Sequence, residues 1–532
     1  MFSRFLIHKP ARSFYYTMEN LPNIWLKTKG YLHITAQIDV EKRKHEILKK
    51  VLDPNYVSTY AFYPLIHSII KERKYKAGGE KGERAHVHIK DGKHLQTAKA
   101  RPLHYATHLD AIIFGCYAEK IQIQYEIELS KQPQLSESII AYRKLPLQNE
   151  IANKSTIHFA NEVFTEVKRQ INSTGNSVVL AFDIKNFFPS LDHNILKGIW
   201  AKLFSCERLP PDHYNVFKAA TQFSYIMLDD LRMSNNGSSK LGYNEKELAK
   251  IRNIHGVNAF FESPKHFRDK IKSGEIKLHK YPFRNIDKQP VGIPQGLPIS
   301  ATLANLYLLD FDKAIIKNLV EQLGCFYRRY SDDIIVICTE EQSDHVNKYV
   351  TDKMTEFKVE ISKAKTEKFH FSRLGNDKNI CIKTTNDGKT KNAPLVYLGF
   401  EFNGNVIRIK SANLAKFYRR MIDSVRRKAK RAIKQADKIP GSVPIVFRRQ
   451  LYKLYTTRPL SKTKVFTRHK RLVKNAVGEF RIVSTKKKKL LRSNYLSYAR
   501  RASEIMNEPA ITKQIRNHHR IFNQAIKKHL KR

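Results

Sequence analysis

Acidic residues are scarce in this chain: 49 Asp and Glu stand against 97 Lys and Arg over 532 residues, a formal charge of +48, with a pI near 10.0. Solubility does not require an excess of that size, so the natural inference is a polyanionic partner bound in a strongly salt-dependent way. Cysteine is sparse too. Cys116, Cys206, Cys325, Cys338 and Cys381 form no Cys-x-x-Cys pair and lack the histidine spacing of a zinc site. Most lie in apolar stretches and read as buried thiols of a protein in a reducing compartment. No apolar run approaches the roughly 18–20 uncharged residues of a membrane helix, so a soluble protein without a membrane partner is expected. Tandem repeats and long low-complexity segments are absent. The start, Met1 to Ser13, is basic and acid-poor like a mitochondrial presequence, yet it lacks the apolar core of a secretory signal. The expected location is the cytoplasm.

What the chain does have is Tyr330-Ser331-Asp332-Asp333, set between Tyr327-Arg328-Arg329 and the apolar Ile334-Ile335-Val336-Ile337. Strand periodicity on both sides of a tight acidic tip predicts a β-hairpin that projects carboxylates from its turn. One Ser-Asp-Asp is also ordinary turn chemistry, but a second acid changes its weight. Ser177 to Asp183 is an apolar strand ending in aspartate, followed closely by Phe187 and Phe188, and it can deliver Asp183 to the hairpin tip. Phosphoryl transfer to a 3′-hydroxyl uses two divalent ions roughly 3.5–4 Å apart, so carboxylates must converge from separate strands. Two Mg²⁺ ions, with Mn²⁺ as the alternative, take oxygen ligands, which fits Asp183, Asp332, Asp333 and the backbone carbonyl of Ile184.

Further motifs follow in order. Gly292-Ile293-Pro294-Gln295-Gly296-Leu297-Pro298-Ile299-Ser300 runs into an apolar helix pattern over Ala301 to Leu308; Val359 to Glu367 and Tyr397-Leu398-Gly399-Phe400 come after the hairpin; Lys99-Ala100-Arg101-Pro102-Leu103-His104-Tyr105 and a helical run from His108 to Ala118 come before. With this ordered set the chain resembles the reverse transcriptases over residues 95–410. The resemblance implies an α+β right-hand polymerase. Its parts would be an N-terminal extension (1–94), fingers (95–175), an antiparallel-sheet palm (176–410, with an insertion at 205–285) and a basic helical thumb or C-terminal domain (411–532). The implied activity is RNA-directed DNA polymerisation, a nucleotidyl transfer from deoxynucleotides. Ala301 follows Ser300 where intron and retroviral enzymes place proline, so the motif looks more like that of bacterial defence-associated relatives, the abortive-infection and unknown-group enzymes. Retron-type enzymes, group II intron-type maturases and a template-independent DNA polymerase of the same fold stay open.

Roles carried by the resemblance are specific. Asp183, Asp332 and Asp333 are the catalytic acids. Phe188 sits where the family packs a residue under the sugar, and an aromatic there leaves no room for a 2′-hydroxyl. Gln295 contacts the incoming nucleotide or the template backbone, while Gly296 lets the main chain come close. Lys99 and Arg101 grip the triphosphate, and Lys365 protonates or screens the leaving pyrophosphate.

Outside the motifs, helical spacing is expected over Val40 to Val51 and Tyr60 to Ile70, with a loop or hinge at Lys76 to Gly82. Arg143-Lys144 is a second basic element. The long segment between Phe188 and Gly292 reads as helices and loops, with helix-start chemistry at Asn244-Glu245-Lys246-Glu247; its role lies between self-association as a homo-oligomer and RNA contact. After Lys410, Leu414, Phe417, Met421, Val425, Ala429 and Ala432 recur at helical spacing among cations that include Arg426 and Arg427. Helices are also expected over Phe447 to Tyr455 and Tyr495 to Met506. Lys486, Lys487, Lys488 and Lys489 are expected in an exposed phosphate-binding loop. The expected partners are deoxynucleotides, a DNA product and a structured noncoding RNA that serves as template or scaffold.

Overall fold

The structure is a computed structural model and describes residues 24–530 apart from 74–86, 91–92, 97, 148–151, 235–240, 363–365, 376–377, 385–389, 457–463 and 491–492. Met1 to Ser13, Lys76 to Gly82 and Lys365 therefore lie outside the described residues, as does most of the polar stretch after Ser234.

A six-stranded sheet forms the middle of the molecule, in the order Thr390–Asn392, Asn379–Thr384, Glu367–Arg373, Asn176–Asp183, Asp333–Cys338, Phe326–Tyr330, with every neighbouring pair antiparallel. The strands Asn176–Asp183 and Asp333–Cys338 are apolar over Val178 to Phe182 and Ile334 to Ile337 because both faces of the sheet are covered there. Val178, Leu180, Phe182, Ile334 and Val336 enter one core with the helices His108–Ser130, His193–Leu203, Pro211–Thr221 and Ser300–Tyr307. Val179, Ile335 and Ile337 point the other way, into a core with the helices Thr156–Thr174, Tyr495–Ile505 and Pro509–Ile515 and a small sheet of Leu395–Tyr397, Phe400–Phe402 and Ile407–Ile409. Mixed helix and sheet is thus the observed class.

Beside this body, the strand Leu65–Arg73 pairs antiparallel with Ala98–Tyr105 and parallel with Tyr225–Met227. The expectation of a helix across Tyr60 to Ile70 is corrected here. The helix Pro54–Thr59 ends before Tyr60, Pro64 follows, and the stretch with β-branched Ile66, Ile69 and Ile70 pairs along Ile66–Arg73 with one strand and along Leu65–His67 with another. Ile34, Ile66, Ile226, Phe261, Phe267 and Ile276 share one core, so the N-terminal segment and the long segment before Gly292 pack together. That segment contains the helices Glu245–His255 and Pro264–Lys272. Asn244 caps the first by accepting from the Glu247 N–H at 3.1 Å.

The helix Ser411–Ala436 follows its expected pattern: Phe417, Met421, Val425, Ala429 and Ala432 are buried while Arg419, Arg420, Arg426, Arg427, Lys430 and Arg431 are exposed. Its apolar stripe packs on the C-terminal helix His518–Leu530 through Phe522 and Ile526. Lys486–Lys489 are not in a loop. They belong to the strand Phe480–Leu490, which pairs with Lys464–Lys474 in a two-stranded ribbon that sets Lys486 opposite Arg468 and Lys489 opposite Val465. Four of the five cysteines are buried, Cys206 half-buried, and all are free thiols. No helix among the described residues is long and apolar enough to cross a membrane.

Candidate active site

The strand Asn176–Asp183 ends on its acid, and the neighbouring strand begins on one: Asp183 and Asp333 are direct cross-strand partners. Opposed residues of an antiparallel pair project from the same face with Cβ atoms about 4.5–5.5 Å apart, and like charges in that position repel. Asp332 occupies the two-residue turn just before, and its carbonyl accepts the Ile184 N–H at 3.3 Å. The Asp183 carbonyl accepts from Ser362 at 2.8 Å, and the Lys185 N–H donates to Glu360 at 2.8 Å. Three chain segments thus meet at one sheet end.

The turn itself is unusual. Ser331 has φ 60°, the left-handed conformation that a two-residue hairpin demands at its first central position and that favours glycine. A serine persists there because its surroundings fix it. Arg329, fully buried, donates from Nη1 to the Ser331 carbonyl at 3.2 Å and to Asn305 Oδ1 at 3.2 Å, while Nε and Nη2 grip Asp312 at 2.8 and 2.6 Å. The Tyr327 hydroxyl donates to the same Asp312 at 2.6 Å, and the Tyr142 hydroxyl reaches Ser331 Oγ at 3.4 Å. Burial opposes the Arg329 charge, but Asp312 outweighs it and raises the guanidinium pKa. Burial pushes the Asp312 carboxyl up, against the pull of Arg329. Breaking such a pair from one side costs about 3–5 kcal/mol.

The Pro-Gln-Gly segment is held on two sides. The Gly292 N–H donates to the Leu191 carbonyl and the Ile293 N–H to the Phe188 carbonyl, at 2.6 and 2.8 Å. A side chain on Gly292 (φ 81°) would meet the Pro189 carbonyl at 2.3 Å, so only glycine fits. On the other side the His104 N–H donates to the Gln295 carbonyl at 2.8 Å, and a Cβ on Gly296 would come within 2.5 Å of the His104 carbonyl. His104 lies on the strand that also bears Lys99 and Arg101, both exposed. Phe188 is half-buried, with its ring 5.8 Å from that of Phe187.

The structure therefore brings Asp183, Ile184, Asp332 and Asp333 to one end of the sheet and links them through Phe188 and Ile293 to Gln295, Gly296 and the Lys99/Arg101 strand. Arg143, part of the second basic element, is turned inward: its side chain pairs with Glu126 at 2.6 Å and donates to the Ile139 carbonyl at 2.6 Å. Tyr397 is buried, and its hydroxyl pKa is raised by burial and by Asp333. Sequence reasoning passed over the Arg329–Asp312–Tyr327 network. The strand alternation carried the signal, since Tyr327 and Arg329 are buried and Phe326, Arg328 and Tyr330 are not.

Among the described residues no three His, Cys, Asp or Glu side chains gather closely enough to hold an ion unaided. Two opposed carboxylates with a third in the adjoining turn nevertheless fit Mg²⁺. That ion takes oxygen ligands and fills the rest of its shell with water and substrate phosphate.

A family model described as reverse transcriptase (RNA-dependent DNA polymerase) matches residues 264–402. The matched residues include Gly292–Ser300 and the Asp332–Asp333 hairpin. Asp183 and Phe188 lie outside the match and reach the site through strand pairing and the Phe188–Ile293 hydrogen bond. No curated protein sequence matches the chain. Similar solved structures include apo telomerase from Candida tropicalis truncated from its C-terminal domain (12% identity, TM-score 0.33, covering 68% of this chain and 60% of that one). Telomerase from Candida albicans in complex with a fragment of telomeric RNA is another (10% identity, TM-score 0.34, covering 92% and 65%). The chain spans less than two thirds of the length of either.

Proposed function

We propose that this chain is a right-hand polymerase that copies RNA into DNA, with the six-stranded sheet as palm, the Ala98–Tyr105 strand and the His108–Ser130 helix in the fingers, and residues 411–532 as a basic thumb or C-terminal domain. The observation that carries the reading is the Asp183–Asp333 cross-strand pair beside Asp332. Opposed carboxylates with a third beside them offer the oxygen ligands that Mg²⁺ takes. Asp183, Asp332, Asp333 and the Ile184 carbonyl would hold two Mg²⁺ ions, which when bound activate the primer 3′-hydroxyl and hold the triphosphate.

The chain's own residues do the rest. Phe188 floors the sugar pocket and rejects a 2′-hydroxyl by clash. The Gln295–Gly296 main chain, held by His104 and, through Ile293, by Phe188, lies against the base pair being formed. Lys99 and Arg101 reach the triphosphate from the adjoining strand, the guanidinium bidentately. Lys365 meets the departing pyrophosphate. Arg426 and Arg427 follow the phosphates of the template–primer along the helix Ser411–Ala436.

The charge of +48 and the large surface between Phe188 and Gly292 favour a dedicated structured noncoding RNA as template or scaffold, and the Pro-Gln-Gly motif favours the bacterial antiphage branch. The test is primer extension by the purified chain with Mg²⁺ on an RNA template. The reading predicts template-dependent incorporation of deoxynucleotides, and failure to extend on any template with either Mg²⁺ or Mn²⁺ would overturn it.

A further inference from the structure

The ribbon Lys464–Lys474/Phe480–Leu490 stands apart from the chemistry, and its two ends are tied to different parts of the molecule. At its root, Asn494 donates to the Thr456 carbonyl at 3.0 Å and caps the helix Tyr495–Ile505, which is buried against the central sheet. At its tip, beside the turn that Asn475 and Glu479 close with a 2.8 Å backbone hydrogen bond, the Phe480 ring lies on Gly256 at the end of the helix Glu245–His255. The approach is close enough that a Cβ on Gly256 would meet three Phe480 ring carbons at 2.6–2.8 Å. Gly256 also has φ 65°, which favours glycine, and a side chain there would have to displace the ring. The helix Glu245–His255 belongs to the segment anchored on Ile66 and Ile226, far along the chain from the ribbon's root.

These contacts close a circuit. It runs from the central sheet through the helix Tyr495–Ile505 to the ribbon, across Phe480 to Gly256, through the Ile66 core to the Ala98–Tyr105 strand, and by His104, Gln295 and Phe188 back to Asp183. Each ribbon strand has 11 residues, so the span bridged is about 36 Å at ~3.3 Å per residue. Residues 464–490 carry ten Lys and Arg against one acid, Glu479, the charge of a segment that faces a polyanion.

We propose that the ribbon is a strap that closes over a bound polynucleotide, with Phe480 on Gly256 as its latch, so that the nucleic acid is encircled. The inference rests on the nucleic-acid-polymerase reading of the Asp183 site, but its test needs no nucleotide incorporation. Protein is loaded on a labelled, primed circular single strand or on a short linear RNA–DNA duplex, and release is followed after adding excess competitor at fixed salt. A circle leaves only when the latch opens, whereas a short linear duplex also leaves through its ends. Phe480→Ala, which leaves the helix cap at Gly256 untouched, should speed release of the circle about tenfold, the scale expected for removing one partly buried aromatic side chain. Gly256→Ala, which pushes the ring away from the other side, should do the same. Release of the linear duplex should change little. Equal acceleration on both substrates, no acceleration on the circle, or failure to bind either would overturn the strap. Absence of primer extension would instead count against the polymerase reading alone.

Discussion

Asp183 and Asp333 are held face to face by strand register, and beneath them a buried arginine fixes the turn that carries Asp332. The acids were legible because each marks the end of an apolar strand. Arg329 was not: it read as one of several cations leading into the hairpin, and its partner Asp312 comes from a helix whose packing no local pattern announces. Arg329→Gln or Asp312→Asn should each destabilise the protein by about 3–5 kcal/mol, since each leaves one half of a buried pair uncompensated. Removing both should cost less than the sum of the two, because the pair acts as a unit. Denaturant unfolding of the four proteins checks this, and additive losses would show that the two side chains act separately. Phe188 belongs to the same scale. Phe188→Ala should raise ribonucleotide use relative to deoxynucleotide use by about 10–200-fold, the range for opening a steric pocket. An unchanged ratio of the two incorporation efficiencies would assign the gate to Phe187 or another residue.

Elements with one strong period were legible, and those stabilised by a distant partner were not. The helix Ser411–Ala436 followed its apolar stripe, and the helix after Ser300 followed its apolar run. The ribbon was missed because four consecutive lysines are poor strand formers by propensity; only pairing with Lys464–Lys474, across an intervening turn, makes them a strand. The strand Leu65–Arg73 was mistaken for a helix for a similar reason, as its ladder partners lie at Ala98–Tyr105 and Tyr225–Met227. Replacing Lys486, Lys487, Lys488 and Lys489 by Gln should weaken nucleic-acid binding and lower the log–log salt slope by about 0.7–0.9 for each phosphate that is no longer neutralised. Titrations at several salt concentrations give that slope directly, and an unaltered slope would remove the ribbon from the binding surface.

At the scale of the whole molecule, charge was the most legible property and partner identity the least. A +48 chain announces a polyanion, yet base-specific recognition depends on contacts that composition does not encode. A dedicated noncoding RNA should appear as one strongly enriched species among RNAs crosslinked to the protein in its native cell, whereas a random sample of transcripts would point to a nonspecific polymerase. The site's position at the end of the central sheet depends on pairing between strands some 150 residues apart, and order along the chain foretold only that they should meet.

The most direct measurement compares wild type with the Asp332→Asn/Asp333→Asn double variant in Mg²⁺-dependent primer extension, alongside binding of the same RNA–DNA duplex. The carboxylates are expected to hold the ions and to contribute almost nothing to the basic surface. Incorporation should therefore fall by at least about a hundredfold, the scale seen when a preorganised group that stabilises transition-state charge is removed, while duplex affinity stays near that of wild type. Extension by the double variant at the wild-type rate would contradict the account at its centre.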